Sequence, residues 1–161
     1  MNTSIAPQLT PADTAALGSK HSLLSRLGHY ERNSAVIVAE VGVIVGLAAT
    51  AYIHLKEMSS KFAEVPYIGV GYAFIAAGCF AAIAMVVARY KGGWYLGGAT
   101  AAATFIGFVL TRTVGLPGST DDIGNWSEPI AQQSLVAEGL VIAITALMIA
   151  VYFRKGRTAT R

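Results

Sequence analysis

Four long apolar runs separated by three polar breaks set the pattern of this chain: Ala35 to His54, Tyr67 to Ala88, Tyr95 to Val114 and Ile130 to Phe153. A helix of about twenty residues, rising about 1.5 Å per residue, matches a hydrocarbon layer about 30 Å thick. The pattern therefore predicts an all-α fold, an integral membrane bundle of four transmembrane helices over 35–54, 67–88, 95–114 and 130–153. Residues 34–154 form the transmembrane domain. Residues 1–33 read as a polar, partly disordered tail that ends in a short basic amphipathic helix carrying Leu23, Leu24, Leu27 and Tyr30, and residues 155–161 as a basic tail.

The breaks have their own chemistry. Residues 58–66 read as a polar connection with Pro66 opening the second helix, because proline's missing N–H is not needed in a first turn. Arg89 to Tyr95 reads as a tight basic turn whose Gly92 and Gly93 let the chain reverse, with Trp94 and Tyr95 at interfacial level. Ser127 is placed to cap the fourth helix, with Glu128 and Pro129 in its first turn. The first thirty residues contain no apolar core of the signal-peptide kind, so the first span is expected to stay in the mature chain.

Composition agrees with this reading. Of 161 residues, 54% are hydrophobic and 13% charged, and the mean hydropathy is +0.54, too apolar for an ordinary soluble domain. The net charge of +3 comes from short basic patches between apolar runs, which excludes a nucleic-acid-binding face. Lys20, Arg26, Arg32, Arg89, Lys91, Arg154, Lys155, Arg157 and Arg161 fall on one side of the predicted topology, and only Lys56, Lys61 and Arg112 on the other. By the positive-inside bias both termini are expected to be cytoplasmic, in a bacterial plasma membrane. Cys79 is the sole cysteine and reads as a small packing residue, so no intrachain disulfide can form. Small residues, including the Gly42-x-x-x-Gly46 pair, predict close helix packing.

Charges inside the apolar runs mark candidate sites. Glu138 lies within the fourth span, where a carboxylate is costly and usually faces a partner or a wet cavity. Arg112 is expected to pair with it, fixing helix register and ordering the outer loop. His54 and Glu57 share a helix face at the end of the first span; with Glu138 they form a candidate metal or proton site. A relay from Glu40 through His54 to Glu138 is the weaker form of that idea, with head-group or partner binding as the other role for Glu40. In the outer loop, Gly115 to Gly118 around Pro117 is turn chemistry, and Asp121, Asp122 and Glu128 read as solvated acids without the ligand spacing of a calcium loop. Trp126 is expected to anchor the loop at the interface or pack over the bundle mouth.

The stretch Thr111-Arg-Thr-Val-Gly-Leu-Pro117, followed by Trp126, Glu128-Pro129 and Glu138, resembles small four-helix membrane proteins of actinobacterial type that carry an Arg-Thr-x-Gly-Leu-Pro, then Glu-Pro, then Glu pattern. The resemblance covers about the last third of the chain and implies topology and a shared outer site, with no activity attached. No nucleophile, HExxH or phosphate-loop motif is present. The first expectation is thus a non-catalytic accessory or stabilising subunit of a larger membrane complex, without a cofactor, in contact with lipids and with other membrane subunits or copies of itself. A small metal- or redox-handling protein with a bound metal is the second, and a minimal proton or ion conduit the third.

Overall fold

The structure, a computed structural model, describes Thr10 and residues 28–153. The chain builds helices α1 (Ser34–Glu64), α2 (Pro66–Val87), α3 (Gly92–Thr113) and α4 (Pro129–Leu147), the last running on as a π-helical segment, Met148–Phe153. Among the described residues there are no strands, only two isolated bridges. All four helices are long and apolar enough to cross a membrane. Each packs on its neighbours in the chain and α4 closes back on α1, giving a ring of four.

The first span is longer than the sequence pattern indicates. Residues 58–64 are helical, and the break is confined to Val65. The segment contains no glycine or proline, and Lys61 bonds Glu64 one turn on at 2.6 Å, so nothing interrupts propagation until Pro66 forces its predecessor into the extended conformation at φ −143°, ψ 95°. At 31 residues, α1 is about 46 Å long and outreaches a 30 Å hydrocarbon layer.

The second reversal also differs from expectation. Arg89, at φ +63°, turns the chain, and its neighbour Tyr90 bonds back to the Met85 carbonyl at 2.8 Å. Gly92 and Gly93 lie in the first turn of α3 instead. A Cβ at Gly93 would stand 2.7 Å from the Val86 amide nitrogen, so glycine here permits close helix approach. Ser127 does not cap α4: the N-cap is Glu128, whose carboxylate is turned toward Arg112. The change to π geometry follows Thr145, whose hydroxyl donates to the Val141 and Ile142 carbonyls at 2.7 and 3.1 Å and so competes with the helix ladder.

Residues 1–9, 11–27 and 154–161 lie outside the described residues, and with them the tail, most of the expected amphipathic helix and the C-terminal basic patch. Residues 28–33 are described and are not helical: Tyr30 N–H bonds Arg89 and Lys91 N–H bonds Gly28, pinning this segment to the α2–α3 turn. Tyr30 is buried and donates to Glu40 at 2.7 Å. Arg32 Nε holds both oxygens of that carboxylate at 2.9 and 2.8 Å. Glu40 therefore closes this end of the bundle and is buried, 4% exposed. Burial first, and the Glu40 carboxylate second, hold the Tyr30 phenol well above its ordinary pKa, keeping it a donor.

The core between the ends is Val43, Leu47, Cys79, Ala82, Trp94, Ala101 and Val141, all without solvent exposure. Gly46 brings α1 against α4, where an added Cβ would meet Val141 Cγ2 at 2.5 Å and the Ala137 carbonyl at 3.3 Å. At Gly139, on α4, a Cβ would meet nothing within 4 Å. Gly46→Ala is expected to lower stability by about 1–3 kcal/mol through overpacking, whereas Gly139→Ala is neutral or slightly stabilising because a helical glycine is lost. Thermal melts of the two variants in one detergent check this; equal loss in both would refute the close contact.

Candidate functional site

Arg112 sits in the last turn of α3, 5% exposed, and the chain beyond it folds back over its guanidinium. Nη1 meets Asp122 Oδ1 at 2.5 Å and Nη2 meets Glu128 Oε2 at 2.6 Å. The Phe108 ring, one helical turn earlier, lies under the guanidinium carbon at 5.1 Å, and the Arg112 carbonyl accepts from Gly124 N–H at 2.9 Å. One residue thus fixes both limbs of the 114–128 loop.

Turn chemistry shapes the loop between those anchors. Gly115, at φ +76°, ends α3 and bonds the Leu110 carbonyl at 2.9 Å. Leu116 to Ser119 form a tight turn with Pro117 at its second position and Gly118, at φ +75°, at its third, the type II arrangement. Tyr67, at the start of α2, donates to the Pro117 carbonyl at 2.8 Å. Trp126 packs edge-on to Phe108 at 5.9 Å, and its carbonyl accepts from Gln132 Nε2 at 3.0 Å.

Beneath this loop a cavity of about 450 Å³ runs down the bundle axis. Its rim is Ser60, Lys61, Glu64, Tyr67, Ser119, Asp122 and Glu128, and its walls are Glu57, Ile68, Gly71, Tyr72, Ile75, Phe108 and Thr111. At the bottom lie His54, Thr104, Ser134 and Glu138. Ser60 and Glu64 at the rim are exposed, whereas Glu138 at the floor is 1% exposed, so the cavity opens at the loop end. Glu138 lies about 14 Å along α4 from Pro129. Below it Leu47, Ala101 and Val141 close the bundle.

The expected Arg112–Glu138 pair is not formed. Arg112 is taken by Asp122 and Glu128, which reach it from the loop that its own helix leads into, while Glu138 Oε1 accepts from Ser134, one turn earlier on α4, at 2.6 Å. Glu138 Oε2 and Arg112 Nε are both buried without a hydrogen-bond partner. Asp122 and Glu128, expected as solvated acids, are half-buried ion-pair partners; Asp121 remains exposed. His54 and Glu57 do reach the cavity that Glu138 floors. Among the described residues, however, no three His, Cys, Asp or Glu side chains converge on a point that could hold a metal ion, so the His54, Glu57 and Glu138 set is a shared cavity wall and not a three-ligand centre.

No family model, curated protein or solved structure matches the chain. The cavity's capacity follows from its own atoms. His54 Nδ1 lies 2.8 Å from the Thr50 carbonyl, which can only accept, so Nδ1 carries a proton and in the neutral ring Nε2 is an acceptor. Tyr72 stands edge-on to that imidazole at 4.6 Å. Sequence reasoning missed Tyr72, Thr104, Phe108 and Ser134. Two of these had a signal, since Phe108 precedes Arg112 and Ser134 precedes Glu138 by one turn, at the spacing that puts side chains in contact. Tyr72 and Thr104 had none, being placed by packing between helices.

Arg112→Ala is expected to lower stability by about 2 kcal/mol or more, leaving Asp122 and Glu128 as unpaired like charges. Lys61→Ala, which removes only a rim pair within one helix, costs less than about 0.5 kcal/mol. Melting in detergent together with limited proteolysis between 114 and 128 checks both. Equal melts and an equally resistant loop would show that Arg112 does not order this segment.

Proposed function

We propose that the chain is a non-catalytic, multi-pass protein of the bacterial plasma membrane that holds a small ligand in its end cavity, as an accessory subunit beside other membrane proteins. The observation that carries this reading is the unpartnered Glu138 Oε2 at the floor of a cavity of about 450 Å³. A buried carboxylate oxygen without a hydrogen bond is costly, and a cavity of this volume lies in the range of small-molecule sites. The charge bias along the chain supports placing the cavity end outside and both termini in the cytoplasm.

Binding is favoured over conduction by the layer under Glu138. Leu47, Ala101 and Val141 offer no titratable group with which to pass a proton toward Glu40, and Glu40 is itself held by Tyr30 and Arg32. An accessory role is supported by a second hollow on the outside of the bundle between α1 and α4, where Gly46, Ala49 and Ala137 lie beside Gln132 and Gln133. Small residues with nearby amides suit the approach of another membrane helix.

Native mass spectrometry of the protein, extracted from its own host in mild detergent, tests both halves. The expected result is a chain that retains a small-molecule mass and co-purifies with other membrane proteins. Recovery of bare chain, with neither adduct nor protein partner, would remove the proposal.

A further inference from the structure

The floor of the cavity is built almost wholly of acceptors. Glu138 Oε2 has no partner, and His54, with its Nδ1 proton given to Thr50, presents Nε2 as an acceptor in the neutral ring. The nearby hydroxyls have already directed their protons elsewhere: Ser134 to Glu138 at 2.6 Å, Thr104 to the Thr100 carbonyl at 2.7 Å and Thr111 to the Phe108 carbonyl at 2.7 Å. What remains at each is a lone pair. A set of acceptors around a buried carboxylate is complementary to a ligand that brings donors and a positive charge.

The walls add the second half of the recognition. Tyr72 and Phe108 line the cavity, and the Phe108 ring already carries one cation on its face, the Arg112 guanidinium at 5.1 Å. Aromatic faces attract cations most strongly where water is excluded. A bare metal ion does not suit the site, because no three acidic, His or Cys side chains of the described residues converge and a volume of about 450 Å³ far exceeds one ion. Toward the mouth, Glu57, Glu64, Asp122 and Glu128 outnumber Lys61 and Arg112, so an anion is repelled on entry. Arg112 Nε, a buried donor without a partner, suits a neutral acceptor on the ligand's trailing end.

We propose that the cavity takes a small organic cation, an ammonium group on an apolar stem, with its charged head against Glu138. This rests on the reading of the cavity as a ligand site. The ammonium supplies donors to Glu138 Oε2 and His54 Nε2, the stem lies between Tyr72 and Phe108, and the exposed rim at the loop end gives the ligand its way in.

Three probes of nearly equal shape and different charge test the proposal on the intact detergent-solubilised protein: 2-phenylethylammonium, 2-phenylethanol and phenylacetate, measured by calorimetric titration and thermal shift. The cation is expected to bind at least tenfold more tightly than the alcohol, with the anion weakest, and Glu138→Gln to reduce the cation's affinity at least tenfold while sparing the alcohol's. Binding of the alcohol or the anion as tightly as the cation overturns the charge assignment and leaves a ligand cavity standing. Failure of all three to bind overturns both. The charge series on the parent protein decides the matter even if Glu138→Gln does not fold, and an unchanged cation affinity in a folded Glu138→Gln variant would place the cation elsewhere.

Discussion

The guanidinium of Arg112 is the constraint on which the open end of the molecule depends. It sits where α3 ends, yet its two ionic partners come from the loop and from the residue that caps α4. Planar, forked donors are suited to holding two carboxylates in fixed directions, which a lysine would not do. Both acids converge on the one cation, which offsets the repulsion between them. These pairs, with the Tyr67 bond to the Pro117 carbonyl, hold the loop over the mouth of the cavity.

That arrangement leaves Glu138 without the arginine. In the apolar layer a carboxylate normally finds an ion partner, a cavity or both, and here it has one hydrogen bond from Ser134 and an open volume. The energetic consequence runs in a definite direction. Packing alone would be better served by an apolar residue at this position, so the carboxylate is retained at a cost to stability, and such departures from local rules mark functional positions. The ring of helices tolerates it because close contacts elsewhere, at Gly46 and Gly93, join the backbones tightly.

Much of this architecture was legible in the sequence. Four apolar runs gave four helices, since helix length and hydrocarbon thickness are tied by geometry. The errors lie where local sequence is silent about competition. The end of α1 looked like a loop because it is polar, but polarity does not break a helix, and Pro66 does. Glycines at 92 and 93 looked like the turn, while Arg89 took the left-handed conformation and the glycines were used for packing. Arg112 and Glu138 stand out in the sequence as charges inside apolar runs, but a sequence cannot say which of several carboxylates an arginine reaches. Asp122 and Glu128 won because the loop delivers them to the arginine, whereas Glu138 is fixed about 14 Å down α4. The cavity itself was invisible, since it is lined by residues from every helix.

The two ends of the bundle handle buried charge in opposite ways, and the contrast bears on function. At one end Glu40 is satisfied by Tyr30 and Arg32, and the segment before α1 is clamped to the α2–α3 turn. That end is closed by its own hydrogen bonds. At the other, Arg112 is ion-paired but keeps a partnerless Nε, Glu138 keeps a partnerless Oε2, and the space beside them is open to the loop end. Between them lies a buried, largely apolar layer centred on Leu47 and Val141. A protein that moved a solute across this bundle would have to break that layer and the Tyr30–Glu40–Arg32 cluster together. A protein that binds and releases at one face needs neither change, only the loop held by Arg112. Arg112 and Glu138 thus keep their partnerless atoms at the end of the bundle that holds the cavity, which is where the proposed binding reading places its ligand.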